Sequence, residues 1–540
     1  MVAAAAAAAS LPVQVAPKLP GPLFDGLGSH HHEITTTSKQ AQRYFDQGIT
    51  FCFAFNHKEA IRSFRSVAQL DHSCAMAWWG IAYASGPHVN KPMFPEDNVE
   101  AWNALQRAIA LQANASPKER AYITALSKRY EEKFAEDRLA LDKAYAAGMR
   151  ELVKHYPDDL DAQTMFAEAI MDTMPWDYWT KDRSPKPETE DVLAALRFVL
   201  ARNPDHAGAT HFYIHAVEAG PTPELGLPSA DRLARLVPQA GHLVHMPSHI
   251  YMRVGQYHDA TVANERAVKA DQSYIRNCKA QGFYPGVYYP HNLHFLWYAK
   301  AYEGRSAEAL KSADKVALYA MENYCGPKKV LEAPRFRHLP WITSARFGKW
   351  DDVLKVPQPA VTNDFLVDRV FWHFARGLAF AAKKDADAAG REYDRMHQLV
   401  FNDAAKKLDN PQFPASSLMV VADHWLAGKV AAARGGFTDA IAELEKAVAA
   451  EDALPYMEPA YWPFPARPAL GAVLLHAGQP EKAEQVFRED LKRWARNGWG
   501  LRGLEQSLRA QGRTQAADDV RRQLAETWKY ADVELDLSWF

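Results

Sequence analysis

A short mark recurs along this chain of 540 residues: a turn of small residues, then an acidic residue followed by alanine. It stands at FNHKEAI (55–61), VGQYHDAT (254–261), EGRSAEAL (303–310) and GGFTDAIAELEKAV (435–448), and with a lysine between the two residues at AGQPEKAEQVF (477–487). Between the marks lie Ala/Leu/Glu/Lys/Arg stretches whose apolar residues return with helical spacing, and alternating β-branched runs do not appear. Such a chain is restricted to helix pairs joined by short turns, each stacked on the next, because one pair cannot bury its apolar face alone. The expected fold class is all-α.

The residues Gly255/Tyr257/Ala260, Gly304/Ala309, Gly377/Ala389, Gly428/Phe437/Ala440 and Gly471/Ala483 carry a resemblance to the tetratricopeptide repeat, over roughly residues 40–530. The family's unit is a helix-turn-helix of about 34 residues, so the resemblance implies a superhelical array. It also implies an interaction scaffold, the usual role of such repeats. The segment GHLVHMPSHI is similar to a GHLxHMPSHI-type stretch of one subfamily, a likeness to which no particular activity attaches. Insertions are expected at Pro87–Glu100, Pro175–Glu190, Asp271–Pro290 and Tyr324–Pro334. The chain divides on sequence into an Ala/Pro-rich leader and strap (1–38), a histidine-rich irregular region (39–358) and more regular repeats (359–540).

Composition narrows the function. A net charge of −2 with no Lys/Arg block argues against nucleic acid. Four cysteines (Cys52, Cys74, Cys278, Cys325) with no CxxC pair argue against a disulfide framework and point to a reduced, cytoplasmic setting. The N-terminal MVAAAAAAASLPVQVAPKLPGPL lacks the basic start and apolar core of a secretory signal and reads as a flexible leader, with a degenerate targeting segment as the alternative. No apolar run reaches membrane-spanning length, so a soluble protein is expected. There is no GxSxG elbow, phosphate-binding glycine loop or dinucleotide fingerprint.

Chemistry concentrates in Gly241–Tyr257, GHLVHMPSHIYMRVGQY, read as one helix bent at Pro247 and closed by Gly255. The i, i+3 and i+4 relations of His242, His245 and His249 put three imidazoles on one stripe. Counting back from the turn glycines gives a register. His245, His294 and His338 lie ten residues before Gly255, Gly304 and Gly348, and His242, His291 and Arg335 lie thirteen before them. The preceding repeat adds His211, His215 and Glu218, shifted by about one residue near Pro221. The family resemblance implies that these first-helix positions line a concave groove. Neighbouring helices pack about 8–10 Å apart, so imidazoles on adjacent inner helices can share an ion.

The expected metal ligands are therefore His211, His215, His242, His245, His249, His291, His294 and His338. A transition metal fits them, copper first and then zinc or iron, because the set is rich in imidazole and poor in carboxylate. An anion-binding groove and a structural polar core are the competing readings. Glu218, Tyr289 and Arg253 are the candidate catalytic groups. Trp176, Trp179, Tyr288, Asn292, Arg335, Glu458 and Trp462 are candidate substrate contacts, with Tyr178, Tyr284, Tyr461 and Arg467 beside them. Core packing is the plainer reading of each aromatic, and helix-end capping that of Arg253 and Arg335. His30–His32, His57 and His88 are weaker candidates. The expectation is a metal-dependent oxidative enzyme acting on a small organic substrate. The alternatives are a scaffold with a protein partner on its C-terminal repeats, and a zinc-dependent hydrolase or lyase.

Overall fold

The computed structural model describes residues 21–278, 283–324, 333–410 and 413–537. Most of the expected leader, Cys325 and most of the 324–334 insertion lie outside the described residues. Among these residues there is no β-strand, only isolated bridges such as Trp179 with Pro185. The chain is all-α, built from antiparallel helix pairs. No described helix is long and apolar enough to cross a membrane.

The pairs follow from side-chain size and periodicity. In Phe437–Asp452 the buried residues are Ala440, Leu444, Ala447 and Glu451, one helical stripe. It packs on Ala415–Ala433, and Gly428 lets it approach: a Cβ there would meet Leu444 at 2.6 Å. The same pairing joins Leu366–Ala382 to Ala386–Val400, Arg467–His476 to Pro480–Arg493, and Gly498–Ala510 to Thr514–Thr527. The turn glycines that set the register, Gly255, Gly304 and Gly348, adopt φ of +79°, +79° and +64°, the left-handed region only glycine enters without cost.

Contacts group the chain into two compact units. The smaller comprises Met1–Asp25, His31–Cys52 and Asn56–Leu152; the larger comprises Gly26–His30, Phe53–Phe55 and Val153–Phe540. In the smaller unit, Ser38 caps helix Lys39–Phe53 by accepting the Ala41 N–H at 3.1 Å, as its sequence position suggests. The strap before it is tied down by Thr35, whose N–H and hydroxyl both donate to Glu119.

In the larger unit the segment expected as one helix is two, Gly241–His245 and Pro247–Val254, broken at Met246 because Pro247 has no N–H to continue the ladder. The same interruption recurs before Pro340, between Ala333–Arg337 and Leu339–Arg346. Helix Tyr257–Cys278 runs farther into the expected 271–290 insertion than the sequence suggests, and a π-turn at Tyr284–Tyr288 feeds helix Tyr289–Tyr302.

Candidate metal centre

Six imidazoles meet in the larger unit as two triads. His211, His215 and His242 form one, and His245, His249 and His291 the other; within each, one nitrogen per ring lies within 4.8 Å of the others. The triads share a construction. Each takes a pair with HxxxH spacing, His211 and His215 from helix Ala207–Glu218 and His245 and His249 from either side of the Met246 break, and the third residue, His242 or His291, is the one thirteen positions before its turn glycine. The i, i+4 spacing stacks the pair on one stripe. The repeat then delivers the third ring from the neighbouring helix. The triads adjoin: His215 and His249 lie 5.7 Å apart by ring centroid, His242 and His245 5.9 Å.

Four of the six rings are held from behind. The Nδ1–H of His211 donates to the Phe53 carbonyl at 2.7 Å. Those of His215 and His249 donate to the two oxygens of Glu218, at 2.9 and 2.5 Å. That of His245 donates to the Asn264 Oδ1 at 2.7 Å, and the Asn264 amide is fixed in turn by donating to Ala260. All four partners are acceptors, which places the proton on Nδ1 and leaves Nε2 a bare lone pair. Yet the Nε2 atoms of His245 and His249 stand 2.9 Å apart, and His291 Nε2 is 3.1 Å from His245 Nε2. In the other triad His242 Nε2 is 3.2 Å from His211 Nε2, while the buried His215 Nε2 has no hydrogen-bond partner.

At the His245–His249 contact two lone pairs face each other and repel unless a cation lies against both, whereas His242 and His291, whose tautomers no acceptor fixes, can each donate an Nε2–H across their contacts. A shared proton satisfies one contact, whereas a metal ion satisfies all three nitrogens of a triad. Metal–imidazole bonds of about 2.0–2.1 Å put nitrogens on one ion roughly 3.3–3.6 Å apart, a few tenths of an ångström beyond the separations found.

Burial favours the neutral, ligating form of five of the rings. It holds His211, His242, His245 and His291 well below the usual imidazole range, with neighbouring histidines adding to the effect, and it lowers His215 as well. For Glu218 burial acts upward but is outweighed by His249 and His215, and the carboxyl falls to about 2. It is a buried carboxylate serving both triads.

Apolar rings close the sides. Phe55, with φ of +53°, packs against all three rings of the first triad at 4.6–6.1 Å, and Phe295 against all three of the second at 4.5–5.1 Å. Trp176 meets the edge of His215 at 4.9 Å, and Tyr288 lies 4.5 Å from His242. Trp179 donates its indole N–H to the Ala216 carbonyl, so the Trp/Pro loop does cover this end.

The segment 453–466 arrives from far along the chain. The Tyr456 hydroxyl lies 3.3 Å from Glu218 and 3.0 Å from Glu458, and Arg253 donates to the Glu218 carbonyl beneath the Tyr456 ring.

Other expected site residues lie elsewhere. His294 stacks on Trp297 at 5.2 Å and 5°, with Phe336 at its edge, and His338 stacks on Phe371 at 4.0 Å and 7°. Their repeat positions match His245, but the set around them is broken. Four residues after His294 stands Tyr298, and the third position is Arg335. Tyr289 is turned toward Gln272 and Tyr319, because consecutive helical residues point about 100° apart and Tyr288 takes the site-facing direction. Asn292 donates to Asp271 at 2.7 Å rather than lining the centre. Arg467 pairs with Asp452. His57 and His88 pack on each other in the smaller unit, 4.4 Å apart.

A third cluster, His30, Asp161 and His206, meets the same distance test but differs in chemistry. His206 accepts the Ala209 N–H on Nδ1 as a helix cap, so its Nε2 carries the proton and donates to Asp161 at 2.9 Å. That nitrogen is committed to a hydrogen bond. Phe53, Phe55, Asn264 and Tyr456 escaped sequence reasoning, since nothing local marks a carbonyl, a phenyl or an amide 19 residues from its histidine.

No family model and no curated protein matches the chain. Among solved structures, a human IFIT1 dimer with m7Gppp-AAAA is 11% identical over 91% of each chain, with a TM-score of 0.31. Yeast Tom70 is 13% identical over 92% of this chain and 93% of its own, TM-score 0.29, and the P58(IPK) TPR domain is 10% identical over 88% and 99%, TM-score 0.21.

Proposed function

We propose that the two histidine triads bind a pair of transition-metal ions, copper foremost, and that the protein is an oxidoreductase for a small organic substrate. One observation carries this: four imidazoles are fixed as bare Nε2 donors by acceptors at Nδ1, and two of those donors face each other at 2.9 Å. Purely imidazole ligation suits copper and zinc, and copper heads the affinity order for such nitrogen sites. Iron's two-His, one-carboxylate set is incomplete, because both Glu218 oxygens are occupied by the backs of His215 and His249. Bound copper would supply one-electron redox chemistry. The chain's own residues do the remainder. Glu218 orients one ring of each triad, Phe55 and Phe295 keep water from the ring faces, and Trp176 covers His215.

Elemental analysis of untagged protein tests this, with about two metal ions per chain expected for two three-histidine sites. His211→Ala and His245→Ala should each remove about one. Bound zinc with no absorption change on reduction would support a hydrolase or lyase instead. No metal, with melting unchanged by EDTA, would leave a second reading. In it the regular pairs from Leu366 to Thr527 form a scaffold for a protein partner, an arrangement stacked helical repeats suit.

A further inference from the structure

Phenols and indoles give up a single electron to a strongly oxidising centre, whereas a phenyl ring does not. The two triads differ in this respect. Phe295 walls the second, while the first is met by Tyr288, whose ring lies 4.5 Å from His242. A line of tyrosines leads away from it. Tyr284 lies 5.2 Å from Tyr288, and Tyr274 lies 5.5 Å from Tyr284, by ring centroid. Tyr288 and Tyr284 are buried, and Tyr274 is partly exposed near the end of helix Tyr257–Cys278. The line thus starts at a ligand ring and ends at the surface. Two other expected contacts stand apart from it: Trp462 packs with Phe371, Phe374 and Trp425, and Arg335 donates to the Pro459 carbonyl.

Tyr284, the middle member, is held as an oxidisable phenol needs. Its hydroxyl accepts the His242 backbone N–H at 3.1 Å, a link to the ligand residue besides the ring contacts. It also donates to Asp271 Oδ1 at 2.9 Å, and Asn292 fixes that carboxyl by donating to Oδ2 at 2.7 Å. A phenol that loses an electron becomes a strong acid, so its proton needs a base within reach. Burial pushes the Asp271 carboxyl up to about 7, which makes its ionised form a good proton acceptor.

We propose that Tyr274, Tyr284 and Tyr288 form an electron path from the surface to the first triad, which drains an oxidising equivalent left there when no substrate is bound. The path rests on the copper reading of the triads. Tyr288 gives an electron to the centre and is refilled by Tyr284, whose phenol proton passes to Asp271 Oδ1. Tyr274 refills Tyr284, which recovers its proton from Asp271, and Tyr274 releases its own proton to solvent. A soluble thiol then restores Tyr274 by giving up its S–H hydrogen.

The test uses copper(I)-loaded protein without substrate, given one equivalent of hydrogen peroxide at about pH 8, where Asp271 is mainly ionised. Peroxide takes one electron from copper(I), which becomes copper(II), and one from the tyrosines. With two protons, one from the phenol and one from solvent, it leaves as two water molecules. Freeze-quenched samples should show a phenoxyl radical by EPR, and a spin-trap adduct mapped by mass spectrometry should fall on Tyr274. Tyr284→Phe keeps the ring without the phenol and should abolish that adduct. Tyr274→Phe should abolish the adduct while a phenoxyl signal persists, which covers the case where the Tyr284 variant fails to fold. A Tyr274 adduct that survives Tyr284→Phe would overturn the path, as would an indole radical on Trp176, the other oxidisable ring at this triad, 4.9 Å from His215. Copper content, measured on the same samples, separates the two failures. Bound copper with no radical defeats the path alone, whereas protein that binds no copper defeats the metal reading and the path with it.

Discussion

At the residue scale, Glu218 is unlike every other group in the centre because its two oxygens hold His215 and His249, one ring from each triad. Asn264 holds His245 alone. Groups that orient ligands from behind are typically worth about 10–100-fold in metal affinity. Glu218→Gln should therefore weaken both bound metals by that factor, while Asn264→Ala weakens one, as competitive titration with a chromophoric chelator would show. Equal single-site losses in both variants would contradict the shared role of the carboxylate. The sequence placed Glu218 in the site through HFYIHAVE, but as a catalytic group. Its service to two triads depends on His249, 31 residues away, and no local spacing reveals that.

At the element scale, the site exists because short helices meet closely. Gly241 begins the helix that carries His242 and His245, and a Cβ there would collide with the Asp271 carboxyl. Asp271 is not free to move, since Tyr284 and Asn292 both donate to it. Gly241→Ala should cost about 1–3 kcal/mol in chemical denaturation, the usual penalty of overpacking a buried junction. An unchanged midpoint would mean that the junction yields. Proline at 247 was legible as a bend, and the bend is present as a break between two helices. The register from turn glycines was legible too, and it correctly relates His242 to His291. It also led to His294 and His338 as ligands, although their rings stack on Trp297 and Phe371. A register fixes where a side chain starts, while the residues one turn and one repeat away fix what it meets.

At the scale of the larger unit, segment 453–466 connects the C-terminal repeats to the histidines through Tyr456 and Glu218, 238 residues apart. Glu451 anchors that segment by accepting the Ala466 N–H at 2.8 Å. Burial pushes the Glu451 carboxyl up to about 7, and Asp490 up to about 6. A carboxyl raised in the folded state binds its proton more tightly there than in the unfolded chain. Its contribution is therefore full below the unfolded value and is lost as pH rises through the folded one. Stability should decline between about pH 4.5 and 7, by up to about 1.4 kcal/mol per pH unit for each such group. Glu451→Gln should flatten that slope in urea titrations run across this range, and an unaltered slope would show that Glu451 is not its source.

The sequence by itself determined the all-α repeat fold, the turn glycines, the helical stripe of histidines and the repeat positions from which they project. Those are properties of backbone periodicity and of residues a few positions apart, where chain geometry leaves little choice. Only the tertiary structure decided that six rings gather as two triads and that four of them are tautomerically fixed by Phe53, Glu218 and Asn264. Such outcomes depend on which side chains are brought together across tens to hundreds of residues, and burial then sets the protons they keep.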